Sequence, residues 1–447
     1  MSIITTDQQN VVIGLGKTGY SVVAFFAKKG MPVVAMDTRE EPPFAQNIRD
    51  EFPDVKLILG GLNEKVLCNA TQIILSPGLP LSTPEIQAAV TSGVKVVGDI
   101  QIFADYAKAP VIAITGSNAK STVTTLVGEM AKEANVRVAV GGNLGTPALD
   151  LIEESVELYV MELSSFQLET TPSLMAQVAT VLNVSPDHLD RYENYLGYHQ
   201  AKHKIFNGCQ AVVVNRDDPL SAPMIKAGIP HVSFGLSKPD LNQFGVLDNN
   251  SKQYLAKFNE PLLNVSELKI KGSHNRSNAL SALALGEAVG LDMKAMLEAL
   301  KNFTGLDHRC QWVGKFDGVD YFNDSKGTNV GASIAAMEGL GPDTKGEVVL
   351  MAGGVGKGAD FSLLKPAVKQ YVKTLVLYGE DRELLANTLE GDASVKMADS
   401  FDDAFKLAKQ SAKSGDAILL SPACASFDMF KSFEHRGEMF KKLVDAQ

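Results

Sequence analysis

The chain has 447 residues, 45% of them hydrophobic and 21% charged, which is enough for about three domains with substantial cores. Its net charge of −10 carries no basic footprint for nucleic acid, and no apolar run reaches membrane-spanning length. The opening Met1-Ser-Ile-Ile-Thr-Thr6 lacks the basic and apolar blocks of a leader, and Cys68, Cys209, Cys310 and Cys424 form no Cys-x-x-Cys pair, so a cytoplasmic chain is expected, without nucleic-acid or membrane partners, zinc ribbon or disulfide framework.

Strand-like and helix-like segments alternate from end to end, the pattern of an α/β protein. The first unit opens with a strand over 11–13, a turn Gly14-Leu-Gly-Lys-Thr-Gly19, a helix to 29 and a strand over 33–36. Further strands are expected over 72–75 and 94–97, and Pro42-Pro43 and Ser76-Pro-Gly-Leu-Pro80 read as loops. Gly-x-Gly-x-x-Gly between a strand and a helix, with Asp37 18 residues after Gly19, has the dinucleotide-fold form. The glycines admit a diphosphate to the backbone whatever the nucleoside, so NAD, FAD and a UDP-sugar all fit, as does a bare structural turn.

The second unit begins near Ala109-Pro110. The apolar run from Val111 ends in Thr115-Gly-Ser-Asn-Ala-Lys-Ser-Thr122 and passes into a helical pattern. Backbone N–H groups, a helix N-terminus, Lys120 and a hydroxyl for Mg²⁺ are what a nucleoside triphosphate needs. The match to a P-loop is partial, because Ile114 and Ala119 stand where that motif has glycines. Alanine at 119 is acceptable if its φ is negative and costly if positive. Glu162 follows an apolar strand and suits a hard cation such as Mg²⁺, or simply faces water. His188 follows another strand, where Ser185-Pro-Asp187 also reads as a helix start. Lys202 lies in a helical stretch over 195–206, and its spacing alone reads as a solvated lysine. Residues 235–272 read as irregular strands and loops.

The third unit runs from about residue 302, with strands near 347–351, 374–378 and 417–420 and a last helix after Ser426. Three polar loops, Asn323-Asp-Ser-Lys-Gly-Thr-Asn329, Gly353-Gly-Val-Gly-Lys-Gly358 and Leu420-Ser-Pro-Ala-Cys-Ala-Ser-Phe-Asp428, each follow a strand. Ligands bind at such strand ends, and lysines with small hydroxyl residues suit a substrate bearing carboxylates.

Taken in order and spacing, these motifs resemble the Mur ligase family over essentially the whole chain. The resemblance rests on Gly14 to Gly19 with Asp37-Thr-Arg39, Thr115 to Thr122, Glu162-Leu-Ser-Ser-Phe-Gln167 and Asp187-His-Leu-Asp-Arg-Tyr192. It continues through His274-Asn-Arg-Ser-Asn-Ala279, Phe303-Thr-Gly-Leu-Asp-His-Arg309, Asn323-Asp-Ser-Lys326, Leu420 to Ser426 and Phe433-Glu-His-Arg-Gly437. It implies three domains: a Rossmann-like domain over 1–98, a central P-loop-type ATPase domain with a mostly parallel sheet over 99–302, and a C-terminal Rossmann-like α/β domain over 303–447.

The resemblance also implies roles. The first domain would bind a UDP-muropeptide through Leu15, Gly16, Lys17, Thr18, Gly19, Asp37, Thr38, Arg39, Ser76, Pro77 and Gly78, with Asn143 contacting the muropeptide or phosphate. ATP would lie on Gly116, Ser117, Asn118, Ala119, Lys120, Ser121 and Thr122, completed by Asn275, Asn278, Arg309, Asp324 and Lys326. Two Mg²⁺ would be held by Ser121, Glu162, His188 and Lys202, the last as a carbamate, against the reading from spacing. Thr328, Lys357, Ser426 and Phe433 would hold D-glutamate, to which the Asp-Ser-Lys and Ser-Pro-Ala-Cys-Ala-Ser blocks point. The expected reaction is ATP-driven amide formation on UDP-N-acetylmuramoyl-L-alanine through an acyl phosphate, with Lys120, Glu162, His188 and Lys202 as the catalytic set and a monomer as the working unit. The alternatives are a sister ligase adding another amino acid, a nicotinamide oxidoreductase using Asp37, and a non-catalytic nucleotide-binding regulator.

Overall fold

The computed structural model describes residues 9–187, 191–192, 194–224, 228–249 and 252–447. Short β-branched and aliphatic runs form the strands, and three sheets result.

The first sheet is parallel throughout, in the order Lys56–Leu59, Val33–Asp37, Asn10–Ile13, Gln72–Leu75, Lys95–Val97. The strand order reverses at Asn10–Ile13, so the glycine turn and the Ser76–Gly78 loop meet at a topological switch point, where such sheets bind ligands. The second sheet runs Glu260–Asn264, Lys252–Lys257, Gln243–Asn249, His231–Phe234, Val212–Asn215, Val178–Val181, Val111–Thr115, Leu158–Glu162, Val138–Gly142. Its first two pairings are antiparallel, so Lys252–Lys257 runs against the others, and its remaining pairings are parallel. Residues 235–272, expected to be irregular, thus include an antiparallel meander. Its strands bury only one to three residues each, too weak a pattern to read locally.

The third sheet runs Gln311–Phe316, Val319–Asn323, Ala417–Leu420, Val348–Gly353, Val372–Tyr378, Ser394–Met397, with only its first pair antiparallel. Asn323 and Met351 both register with Leu420, which brings the three polar loops to one edge.

The first two sheets share one hydrophobic cluster, in which Val23 and Phe26 of helix Lys17–Lys28 belong with Phe103, Tyr159 and Met161. Phe103 meets Tyr159 edge-on at 5.0 Å. The clusters under the third sheet are drawn from its own residues. Among the described residues no helix is long and apolar enough to cross a membrane.

Candidate active site

Strand Val111–Thr115 delivers the chain into a turn locked from the side. Ser117 N–H donates to Asn183 O at 2.9 Å, and Asn118 N–H donates to Asn183 Oδ1 at 2.8 Å. Ser117 Oγ bonds both Ser185 O and the Tyr198 hydroxyl at 2.9 Å. Helix Lys120–Glu133 then starts from Ala119, whose φ is +66°, with no side chain capping it. Alanine at 119 is therefore the costly case. Ala119→Gly should raise the melting midpoint, by about 1 kcal/mol in stability, because glycine enters this region without a Cβ clash. A lower midpoint in urea or thermal melts would contradict the strain.

Two lysines converge on this turn. Lys120 Nζ donates to Gly116 O at 2.8 Å and Ser117 O at 3.0 Å, and Lys202 Nζ donates to the same Gly116 carbonyl at 2.8 Å. Lys202 is 2% exposed, with its ammonium 4.5 Å from the centre of the Tyr198 ring. Burial, and then the charge of Lys120, drive its pKa well below the ordinary lysine value, against the pull of Asp187 and Glu162. The solvated-lysine reading is thus corrected: helix Tyr195–His203 turns this residue inward. Lys120 is lowered too, chiefly by burial.

Glu162 ends strand Leu158–Glu162, level with Ile114 on one neighbour and Gly142 on the other. It is 2% exposed; Oε1 accepts from Asn143 Nδ2 at 2.7 Å, and Oε2 is buried with no partner. A buried carboxylate oxygen left bare is costly unless a cation or donor arrives. With the Ser121 hydroxyl nearby in the same cavity, this is a hard-oxygen site that fits Mg²⁺. Among the described residues no three His, Cys, Asp or Glu side chains gather as a metal cage. His188 lies outside the described residues.

The third sheet supplies the opposite wall of the cavity, which has a volume of about 660 Å³. Arg309 Nη2 donates to Ser121 Oγ at 2.7 Å, and Asn329 Nδ2 donates to Asp187 Oδ2 at 3.1 Å. Lys357 Nζ lies 3.8 Å from Asp187 Oδ1. Lys326 sits 4.2 Å from the centre of the Phe433 ring, and burial, then Arg309 and Lys120, lower its pKa to about 8. Asn275 and Asn278 project from helix Ser273–Ala288, joined by Asn278 Nδ2 donating to Asn275 Oδ1 at 3.1 Å. All of these face the cavity, as do Thr328 and Asn143. Ser426 is buried and does not face it.

Asp324 accepts from Cys310 N–H at 3.0 Å and from Ser421 Oγ at 2.7 Å. Burial nevertheless pushes its carboxyl up from 3.8 to about 7. A raised folded-state pKa contributes stability that is complete below the unfolded value, near 4, and is lost as pH rises through about 7. Asp324→Asn should flatten the melting midpoint of the ligand-free protein between pH 4 and 7. A wild-type slope retained in the variant would show that another group titrates.

The glycine turn of the first sheet lies outside this cavity. Gly14 has φ +90°, and a Cβ there would lie 2.7 Å from Ser76 Cβ; a Cβ on Gly19 would lie 1.8 Å from Gly14 O. Both are required by packing. Gly16, the N-cap of helix Lys17–Lys28, has nothing within 4 Å of its Cβ position, so packing does not require glycine there and its backbone stands open. Asp37 is already engaged: Oδ2 accepts from Leu15 N–H at 2.6 Å, and Arg39 donates to both oxygens. Burial opposes its charge, but Arg39 and Leu15 hold its pKa below the ordinary value. Asp37 therefore organises the turn and aims Arg39.

Three contributors escaped the sequence reading. Asn183 and Tyr198 lock the turn at Ser117 and Asn118, and nothing in their spacing marks them. Arg436 is 0% exposed and donates to Ser325 O at 2.8 Å, to Ser325 Oγ at 3.0 Å and to Cys424 O, joining two of the polar loops. It stands within a motif quoted above, but its burial is a tertiary fact.

Three family models match the chain: "Mur ligase MurD-like, N-terminal domain" over 8–98, "Mur ligase middle domain" over 114–286 and "Mur ligase, glutamate ligase domain" over 308–424. Proteins named UDP-N-acetylmuramoylalanine--D-glutamate ligase are 56% identical in Pseudomonas savastanoi pv. phaseolicola, covering 100% of both chains, and 55% identical in Pseudomonas aeruginosa, covering 100% and 99%. The same name is carried by a 52% identical protein of Hahella chejuensis, also over 100% of both. Among solved structures, a pseudomurein peptide ligase type C from Methanothermus fervidus superposes with a TM-score of 0.63 at 18% identity, and UDP-N-acetylmuramate-alanine ligase from Thermotoga maritima with 0.60 at 19%. Each covers 98% of this chain and 99% of its own, and they share the fold.

Proposed function

The chain belongs to the Mur ligase family, and on that premise we propose that it is the ligase that joins D-glutamate to UDP-N-acetylmuramoyl-L-alanine at the expense of ATP, a step of peptidoglycan precursor synthesis. The observation that carries the amino-acid choice is 52–56% identity, end to end, to D-glutamate ligases. The chemistry belongs in the cytoplasm, where ATP is, and one chain supplies every proposed group, so a monomer suffices.

A carboxylate is too poor an electrophile to condense with an amine in water. The L-alanine carboxylate attacks the γ-phosphorus of ATP, ADP leaves, and an acyl phosphate forms. The D-glutamate amine then attacks the acyl carbon, phosphate leaves and the amide remains. The protein's task is positioning and charge stabilisation. Lys120, on a helix N-terminus, is placed to follow the charge of the transferring phosphoryl group. Lys120, Lys202, Arg309 and Lys326 are all depressed, chiefly by burial and in Lys120, Lys202 and Lys326 also by a neighbouring cation, and the pull of Glu162 on each of them does not offset this, which supports a cavity poised for a polyanion. Glu162, Ser121 and carbamylated Lys202, with His188, would hold Mg²⁺, which when bound neutralises phosphate charge and polarises the phosphoryl group. Carbamylation needs a neutral amine to add to CO₂, releasing one proton, and the buried Lys202 supports that state.

Arg309 and Asn329 reach across to Ser121 and Asp187, and this contact supports closure of the third domain over the acyl phosphate, keeping water out. Asn275 and Asn278 are assigned to the nucleotide, Thr328, Lys357 and Phe433 to D-glutamate with Ser426 buried outside the cavity lining, and the turn at Gly16 with Arg39 to the UDP end.

The test is phosphate release from ATP and Mg²⁺ with UDP-N-acetylmuramoyl-L-alanine, with D-glutamate, L-glutamate or neither. Release that requires both the muropeptide and D-glutamate establishes the reading. Release with a different amino acid would make the protein a sister ligase, and ATP binding without release would make it a regulator.

A further inference from the structure

One side chain ties the first-sheet turn to the catalytic cavity. Lys17, the first residue of helix Lys17–Lys28, donates from Nζ to the carbonyl of Gly145 at 2.6 Å. Gly145 lies in a tight loop in which Gly142 N–H donates to Thr146 O at 2.9 Å and Asn143 N–H donates to Glu162 O at 2.8 Å. Asn143 Nδ2 in turn holds Glu162 Oε1 at 2.7 Å. A short path of hydrogen bonds and loop backbone thus runs from Lys17 to the carboxylate whose other oxygen is buried and bare. The base of the loop is close-packed, since a Cβ on Gly141 would lie 2.4 Å from Thr146 O and one on Gly142 would lie 2.5 Å from Glu162 O, while Gly145 at its tip stands in open space. A displacement of Gly145 that reaches this packed base is passed on rather than absorbed.

The ammonium of Lys17 is exposed and stands at a helix N-terminus beside Gly16, whose α-carbon faces open space. That is where a diphosphate is held, and a diphosphate is a far stronger partner for an ammonium than a peptide carbonyl is. Two arrangements of one side chain follow. We propose that Lys17 is a positioning residue that couples the nucleotide-sugar site to the metal carboxylate. With the first site empty, it pins residues 142–146 so that Asn143 occupies one oxygen of Glu162. A bound diphosphate draws the ammonium away, the loop relaxes, and both oxygens of Glu162 become available to a divalent cation. This rests on the reading above that the first sheet takes the UDP end of the substrate.

UDP is the probe, because it carries the diphosphate but no carboxylate that reaches the cavity directly. UDP is titrated calorimetrically into wild type and Lys17→Met, with and without saturating Mg²⁺ and a non-hydrolysable ATP analogue, and Mn²⁺ binding is followed by its EPR signal. In wild type the UDP Kd should fall about fivefold or more when metal and nucleotide are present, since coupling is reciprocal. In Lys17→Met the ratio should shrink to within about twofold of unity, and the UDP-free variant should bind Mn²⁺ as tightly as UDP-loaded wild type. A lysine with a merely structural role would instead weaken Mn²⁺ binding when removed. Equal coupling in the two proteins, or none in a wild type that binds UDP and releases phosphate, overturns the latch and leaves the ligase reading standing. A wild type that neither binds UDP nor releases phosphate overturns both.

Discussion

Lys120→Ala should abolish substrate-dependent phosphate release, lowering turnover by about 10³-fold or more, the scale set by removing a cation from a phosphoryl-transfer site. Among the described residues, Lys120 bonds only to carbonyls of its own turn, and burial holds it in a charge-unfavourable position. Removing it therefore leaves the fold intact, and the melting midpoint should not fall. The loss should appear in kcat more than in the affinity for the muropeptide, because the charge it meets develops during transfer. Near-normal turnover in a folded variant would sink its assigned role.

Lys202→Ala should lower turnover about 10²-fold or more, and short carboxylic acids should restore part of it. The substitution opens space beside Tyr198 and Gly116, on the wall that faces Glu162. An acid entering there supplies the carboxylate that the carbamate would have provided. Lys120→Ala, which lacks a charge of the opposite sign, should gain nothing from the same acids and serves as the control. Depleting CO₂ should slow wild type and leave Lys202→Ala unchanged. Full activity of Lys202→Ala without rescue would remove the residue from the catalytic set and leave it a buried lysine that only packs.

The contrast between these two lysines shows what could be read along the chain. Lys120 was legible because a phosphate turn is local: an apolar strand, a tight turn and a helix start lie within fourteen consecutive residues, 111–124. Lys202 was not legible from pattern, because its partner Gly116 lies 86 residues away in the chain and its burial is a property of how that turn packs on the helix. The same holds for Arg436, whose partners Ser325 and Cys424 lie on separate loops. The family resemblance flagged Lys202 but not the physical reason, which is the shared carbonyl and the loss of water around the amine.

By itself the sequence determined the α/β class, the alternation of strands and helices, the two glycine-bearing turns and the presence of a triphosphate site, since each follows from short-range periodicity and backbone sterics. It also carried the motif order that marks the family. The tertiary structure decided the rest. It placed Ala119 at positive φ, committed Asp37 to Leu15 and Arg39, and left one oxygen of Glu162 bare. It turned Gln243–Asn249, Lys252–Lys257 and Glu260–Asn264 into an antiparallel edge of the second sheet and stretched Lys17 across to Gly145. These depend on which distant segments exclude water from one another, and burial of that kind is set by the whole packing rather than by any window of the chain.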